Sequence, residues 1–175
     1  EMMFQQEFMA EFLSDETGVF KKIRQCIVGK YKDAVPGRFY VMGVDLAKTV
    51  DFTVLTVMDS LTREVVAWER FNDLAWSIQK IKVQELAAKY NNALCIVDST
   101  GIGDPIVEDL QHSGLSLWYS GDKPGFKFSN DSKSQLINNL AIAIEQRRIT
   151  FPHEEILVNE LNSYEYSITD GGKIR

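Results

Sequence analysis

Two short apolar runs in this chain each end on an aspartate. The first, Phe39-Tyr-Val-Met-Gly-Val44, leads into Asp45, and the second, Ala93-Leu-Cys-Ile-Val97, leads into Asp98. Runs of this length with little polar alternation read as strands buried on both faces, as in a sheet layered between helices. A carboxylate at the end of such a strand is held at the rim of the sheet. If the two runs lie side by side, the acids repel each other, and one takes up a proton unless a cation sits between them. The pattern points to a divalent-metal site on a rigid α/β scaffold, and so to phosphoester chemistry. The plainer reading of each acid is a cap at a strand end.

The rest of the chain supplies the layers. Residues 53–58 and 64–71 read as further strands joined by a hairpin loop at 59–63. Residues 75–90 read as an amphipathic helix with Ile78, Ile81, Leu86 and Ala87 facing inward. A helix over 103–112 carries Pro105 in its first turn, where proline is tolerated. Residues 115–119 read as a short strand. A helix over 132–147 has the stripe Leu136, Ile137, Leu140, Ala141 and Ile144, and 153–162 reads as a shorter helix. A terminal hairpin spans 164–175, turned by Asp170-Gly171-Gly172. Upstream, residues 4–28 have helical spacing, broken near Gly18, and 29–37 reads as a linker. Three strands in an antiparallel meander, followed by alternating helices and strands, predict an α/β fold with a mixed central sheet flanked by helices. In it the first strand and the 93–97 strand are neighbours, so Asp45 and Asp98 meet.

Bulk properties narrow the function classes. The 175 residues suffice for one domain with a real core. No apolar run approaches the roughly 20 residues of a membrane span, and the start has no signal-peptide character; it reads as a cut from a longer chain. The two cysteines, Cys26 and Cys95, do not make a disulfide framework, and Cys95 reads as a core residue of a chain in a reducing cytoplasm. The net charge of −6 argues at first against nucleic acid, but five acids fall in residues 1–20 (Glu1, Glu7, Glu11, Asp15, Glu16) with no Lys or Arg among them. The remainder is nearly neutral, with basic clusters at Lys21/Lys22/Arg24, Lys123/Lys127/Lys133 and Arg147/Arg148. A duplex-binding face is compatible with this charge, though not dictated by it.

The polar residues around the two acids have functional and ordinary readings side by side. Asp51 opens the next strand, where it serves as an outer acceptor for the metal site or as a strand-start cap. Lys48 in the connecting loop touches a phosphate or is simply solvated. After Asp98, Ser99-Thr100-Gly101-Ile-Gly103 permits close approach of a phosphate backbone to Ser99 and Thr100, or forms an ordinary strand-to-helix turn capped by Thr100 or Asp104. Lys127 and Lys133 lie in a basic loop leading into a helix, as phosphate contacts or solvated lysines. No Gly-x-x-x-x-Gly-Lys-Ser/Thr, no zinc-spaced Cys/His cluster and no Gly-x-Ser-x-Gly elbow occurs.

Taken in order, these motifs resemble a known family. Gly43-Val-Asp45 with Asp51-Phe-Thr-Val54, then Ile96-Val-Asp98-Ser-Thr-Gly-Ile-Gly103-Asp104-Pro105, then Lys133, Leu136-Ile137, Leu140, Ile144-Glu145 and Ile149-x-Phe151-Pro152 are similar to the nuclease domain of the large terminase subunit of tailed bacteriophages. The upstream Phe4, Phe8, Glu11-Phe12 and Gly18-Val-Phe20 resemble the stretch joining that domain to a packaging ATPase.

The resemblance implies a ribonuclease H-like fold and a metal-dependent endonuclease that cuts concatemeric viral double-stranded DNA during genome packaging. By position, Asp45 and Asp98 match the family's first metal-binding acids and Asp51 a further acid near the site, with Mg²⁺ or Mn²⁺ as a two-metal cofactor. A linker segment at 1–37 then joins an upstream ATPase domain to a nuclease domain at 38–175. The implied partners are DNA, the portal protein and the small terminase subunit, without a membrane, in the host cell cytoplasm. The family's third acid normally follows the C-terminal hairpin, and the sequence ends at Arg175 inside that hairpin, so residues 1–175 alone are expected to cut weakly or not at all. Two other functions fit the same residues: a Holliday-junction resolvase-like nuclease and a non-catalytic domain that docks onto the packaging motor.

Overall fold

The computed structural model describes residues 18–47, 51–100 and 104–165. They form two compact units, one of residues 30–128 and one drawn from residues 18–29 together with 129–165.

The first unit is built on a mixed sheet. Strands β1 (Tyr40–Asp45), β2 (Thr53–Asp59) and β3 (Val65–Phe71) are followed by helix α1 (Trp76–Lys89), strand β4 (Leu94–Val97) and helix α2 (Asp104–His112). The strand order is β3-β2-β1-β4. β1 and β2 are antiparallel, with Met42 opposite Val57, while β1 and β4 are parallel, with Val44 opposite Val97. The meander follows from local chemistry. Asp59 closes the β2–β3 hairpin by accepting the N–H groups of Leu61 (2.9 Å) and Thr62 (3.1 Å), and Arg63 takes a positive φ of 58° to complete the turn. The outer edge of β4 is not bare: Cys95 accepts from the Trp118 N–H (2.9 Å) and donates to the Ser116 carbonyl (2.7 Å). The 115–119 segment, expected as a strand, therefore runs along β4 but makes only an isolated bridge at Leu117 before the short hairpin of β5 (Tyr119–Ser120) and β6 (Lys123–Pro124).

One face of this sheet carries the core. Tyr40, Met42, Val44, Leu55, Val57, Cys95 and Val97 pack with Val83, Leu86 and Ala87 of α1 and with Val107 and Leu110 of α2. Each Val, Leu or Met side chain among them stabilises the fold by about 1.5–3 kcal/mol when removed from water. The alternate positions, Val41, Leu94 and Ile96, are half-buried, and Gly43 is exposed, so the strands alternate where uniform burial was expected. α1 also departs from expectation. Its buried positions are Gln79, Val83, Leu86 and Ala87, while Ile78 and Ile81 are 45% and 46% exposed. The helical phase set by Val83, Leu86 and Ala87 passes through position 79 and misses 78 and 81.

Residues 30–35 carry no helix or strand, as expected of a connecting stretch, but they are fastened down. Tyr90 donates its hydroxyl to the Lys32 carbonyl (2.7 Å), Tyr40 accepts the Val35 N–H (2.9 Å), and the Asn91 amide reaches the Val35 carbonyl (2.9 Å).

The second unit holds a 3-10 turn (Ile23–Cys26) and helices α3 (Asn130–Glu145) and α4 (Glu155–Ser163). Phe20, Ile23, Cys26, Ile144 and Phe151 are buried, and the main chains of Cys26–Val28 and Phe151 exchange hydrogen bonds of 2.9 and 3.0 Å. α3 starts on a reciprocal cap between Ser129 and Ser132. Of the apolar stripe predicted along it, Ile144 is buried, Ile137, Leu140 and Ala141 are half-buried, and Leu136 is 43% exposed. The described part of the helical stretch expected at 4–28 is only the 3-10 turn; residues 4–17 and the hairpin strands expected beyond Glu165 lie outside the described residues.

Candidate active site

Asp45 is the last residue of β1, and Asp98 directly follows β4. Because these strands are parallel and Val44 pairs with Val97, the two acids occupy the next register position, side by side at the same end of the sheet. The ladder continues that far: the Asp98 N–H donates to the Val44 carbonyl at 2.9 Å. On its other side Asp98 bridges to Phe126, whose main chain accepts from Ser99 (2.9 Å) and donates to Val97 (2.7 Å). Asp98 is thus held between two neighbouring strand segments. Its Oδ1 accepts the Thr100 N–H at 2.8 Å, and the Thr100 hydroxyl oxygen accepts the Phe128 N–H at 2.7 Å. One carboxylate oxygen of Asp98 is tied into its own turn, and the other has no protein donor among the described residues.

Asp45 is exposed by area, yet protein atoms at the sheet end displace enough water for burial to raise its carboxyl above the ordinary carboxylate range. The charges of Asp98 and Asp51 push it the same way. Asp98 and Asp51 therefore both lie within electrostatic reach of Asp45. This cluster is higher in energy when fully ionised, and a bound cation would relieve it. The donors are carboxylate oxygens, the type that suits Mg²⁺ or Mn²⁺. Mg²⁺ takes one or two carboxylates and completes its shell with water and phosphate oxygens, so a pair of acids fits it. Among the described residues, no three His, Cys, Asp or Glu side chains converge into a ready-made ligand set.

Ser99, Thr100 and Lys127 lie near Asp98 within the first unit. Ser99 is half-buried, and together with Val107, Gln111, Ser120, Lys123 and Lys127 it lines a groove of about 470 Å³. Thr100 is exposed with its hydroxyl oxygen engaged as above. Lys133 is exposed in the first turns of α3, in the second unit. Lys48 lies outside the described residues.

Sequence reasoning missed a buried polar network next to Asp45. The Thr53 hydroxyl accepts the Ala47 N–H (3.0 Å) and donates to Gln79 Oε1 (2.7 Å). Gln79 Nε2 donates to the carbonyls of Leu74 (2.8 Å) and Ala47 (3.3 Å). The legible signal was a glutamine at a core phase of α1. Gly125 was missed as well. Its φ is +87°, and a Cβ there would stand 3.1 Å from both Ser99 Cβ and the Val97 carbonyl oxygen, the residues that flank Asp98.

Residues 42–174 match the terminase RNaseH-like domain family. The large terminase subunit of Thermus virus P23-45 is 31% identical over 98% of this chain, which spans 36% of that protein's length. The large terminase nuclease of thermophilic phage G20c, in its crystal structure with bound magnesium, superposes with a TM-score of 0.80 at 27% identity, covering 91% of this chain and 87% of that one. The same G20c nuclease has been solved with cobalt and with zinc bound. The nuclease domain of the P22 large terminase, 12% identical, shares the fold with a TM-score of 0.61 over 93% of this chain and 85% of that one. The mixed sheet with its helices is therefore a ribonuclease H-like fold.

Proposed function

This chain belongs to the terminase RNaseH-like family, and from that membership we propose that it is the nuclease part of a large terminase subunit, a divalent-metal-dependent endonuclease that cuts concatemeric viral double-stranded DNA during packaging. The observation that carries the reading is the parallel pairing of β1 with β4, which sets Asp45 and Asp98 side by side at one end of the sheet. In this reading Asp45 and Asp98 are the metal ligands, and Asp51 is an outer acceptor that adds negative charge to the rim. Held by Asp45 and Asp98, divalent ions would supply a Lewis acid for the scissile phosphate and a water made nucleophilic near neutral pH.

The chain's own residues do the rest. Thr100 fixes one oxygen of Asp98 through its N–H, which orients the other toward the ligand. Ser99 and Lys127 in the groove beside Asp98 take backbone phosphates of the substrate, and Lys48, Thr100 and Lys133 are further phosphate contacts. The linker reading of residues 1–37 and an ATPase domain upstream belong to the same proposal, as do the portal protein and small terminase subunit as partners and the host cytoplasm as the location.

The test is Mn²⁺ binding by electron paramagnetic resonance for the wild type, Asp45→Asn and Asp98→Asn, paired with cleavage of linear duplex in Mn²⁺ by a longer chain of the same protein. Each variant is expected to weaken Mn²⁺ binding by on the order of tenfold or more and to abolish cutting. Wild-type Mn²⁺ binding in both variants would sink the assignment. Cleavage confined to four-way junctions would replace the packaging substrate with a resolvase one.

A further inference from the structure

The connection between β1 and β2 carries Asp45 at its start and Asp51 near its end, and one buried side chain holds both sides of it. Gln79 is 6% exposed and Thr53 is 1% exposed. The Gln79 amide spends its oxygen on the Thr53 hydroxyl and its nitrogen on the carbonyls of Ala47 and Leu74. The Thr53 hydroxyl in turn accepts the Ala47 N–H. Ala47, two residues after Asp45, thus has both its backbone polar groups engaged by side chains. Thr53, two residues after Asp51, belongs to the same network. No buried side-chain polar atom of the described residues is left without a partner.

A core position of α1 would ordinarily be apolar, as Val83, Leu86 and Ala87 are. A buried amide there is costly unless every hydrogen bond is made, and when they are all made it specifies one arrangement of what it touches. Here it touches the segments that carry two acids of the rim. We propose that Gln79, acting through Thr53, is a positioning residue for the metal ligand Asp45 and its neighbouring acid Asp51, setting how the chain leaves Asp45 and how it enters β2 after Asp51. The inference rests on the reading of Asp45 as a metal ligand. Groups hydrogen-bonded directly to a metal ligand change metal affinity by about 10–100-fold when removed, and Gln79, which acts one step further out through the Ala47 main chain, falls at the low end of that range.

The test compares Gln79→Met, which keeps length but makes no hydrogen bond, with Thr53→Val, which keeps shape, and Thr53→Ser, which keeps the hydroxyl. Leu86→Val serves as a core change away from the network, and Asp45→Asn as the control on the metal reading. Three quantities are measured: Mn²⁺ affinity, hydrogen exchange of the Ala47 amide in the metal-free protein, and the melting temperature. Gln79→Met and Thr53→Val are expected to weaken Mn²⁺ binding by about tenfold and to lose protection at Ala47. Thr53→Ser should retain both, and Leu86→Val should melt earlier with Mn²⁺ affinity unchanged. Wild-type affinity in Gln79→Met and Thr53→Val, with binding lost in Asp45→Asn, overturns the positioning role alone. Equal losses in Thr53→Ser and Leu86→Val reduce it to general destabilisation and overturn it too. Wild-type affinity in Asp45→Asn overturns the metal reading, and the inference falls with it.

Discussion

Gly125→Ala is the substitution that most directly connects backbone geometry to the acid rim. Two separate costs apply. The backbone at φ +87° is one that L side chains rarely adopt, and holding it costs about 1–2 kcal/mol. The new Cβ would also press on Ser99 Cβ and the Val97 carbonyl oxygen, each 3.1 Å away. Neither can swing aside, because one is fixed to its own main chain and the other sits in the β4 ladder. Overpacking of this kind costs about 1–3 kcal/mol. The sum is a loss of about 2–5 kcal/mol. Gly121, in the turn between β5 and β6, separates the two terms: its φ is +66°, but nothing lies within 4 Å of its Cβ position. Gly121→Ala should therefore show only the conformational cost. Urea unfolding of both variants measures the difference, provided the slopes match. Because Asp98 lies between Val97 and Ser99, Gly125→Ala should also weaken Mn²⁺ binding, and Gly121→Ala should not. Two variants that unfold within about 0.5 kcal/mol of each other would refute the argument that the close approach matters.

Other tests probe the rest of the fold. Asp59 is 5% exposed and accepts from Leu61, Thr62 and Arg38; burial alone would raise its carboxyl, but these donors outweigh it and hold the carboxyl below its usual range. Its contribution is therefore complete above about pH 4 and drains away as pH falls through the depressed value. Asp59→Ala should cost about 2–4 kcal/mol at neutral pH and less in acid, so an unfolding difference that ignores pH would count against the account. Burial pushes the Cys95 thiol up to about 12, so the native chain should react with a thiolate-seeking reagent at pH 8 far more slowly than the unfolded chain; equal rates would show the strand to be open. Ser129→Ala removes one half of the reciprocal cap on α3 and should cost about 1 kcal/mol, whereas Ser129→Asp should be tolerated, as thermal unfolding can verify.

The strands were legible because their signals are local. The β1–β3 meander and β4 lie within about a residue of where apolar runs and turn residues put them, and the meeting of Asp45 with Asp98 followed from strand order alone. Helix faces were harder. Ile78 and Ile81 looked like core by hydropathy, but the phase of α1 turns them outward and brings Gln79 in, because the loop after Asp45 needs a buried donor and acceptor. The stripe on α3 was read correctly as a stripe; periodicity marks a face, not how fully its neighbours cover it, and Leu136 is the result. The 115–119 segment has strand-like residues yet bridges β4 only at Leu117, since beyond Cys95 the edge of β4 is taken by Phe126, and Tyr119 pairs instead within the β5–β6 hairpin. Gly125 carried no sequence signal beyond being a glycine in a loop; its constraint comes from Ser99, distant along the chain.

The parallel pairing of β1 with β4 also bears on when the rim comes into being. Parallel neighbours cannot be joined by a tight turn, and here the chain runs through β2, β3 and α1 before β4 docks. The meander is made of short-range contacts and can assemble early, already carrying Asp45. The contact that brings Asp98 beside it closes a long loop, and such closures come late because their entropy must be overcome before the contact rewards it. A nascent or partly unfolded chain therefore keeps the two acids apart. Their concentrated negative charge arises only when the sheet is finished.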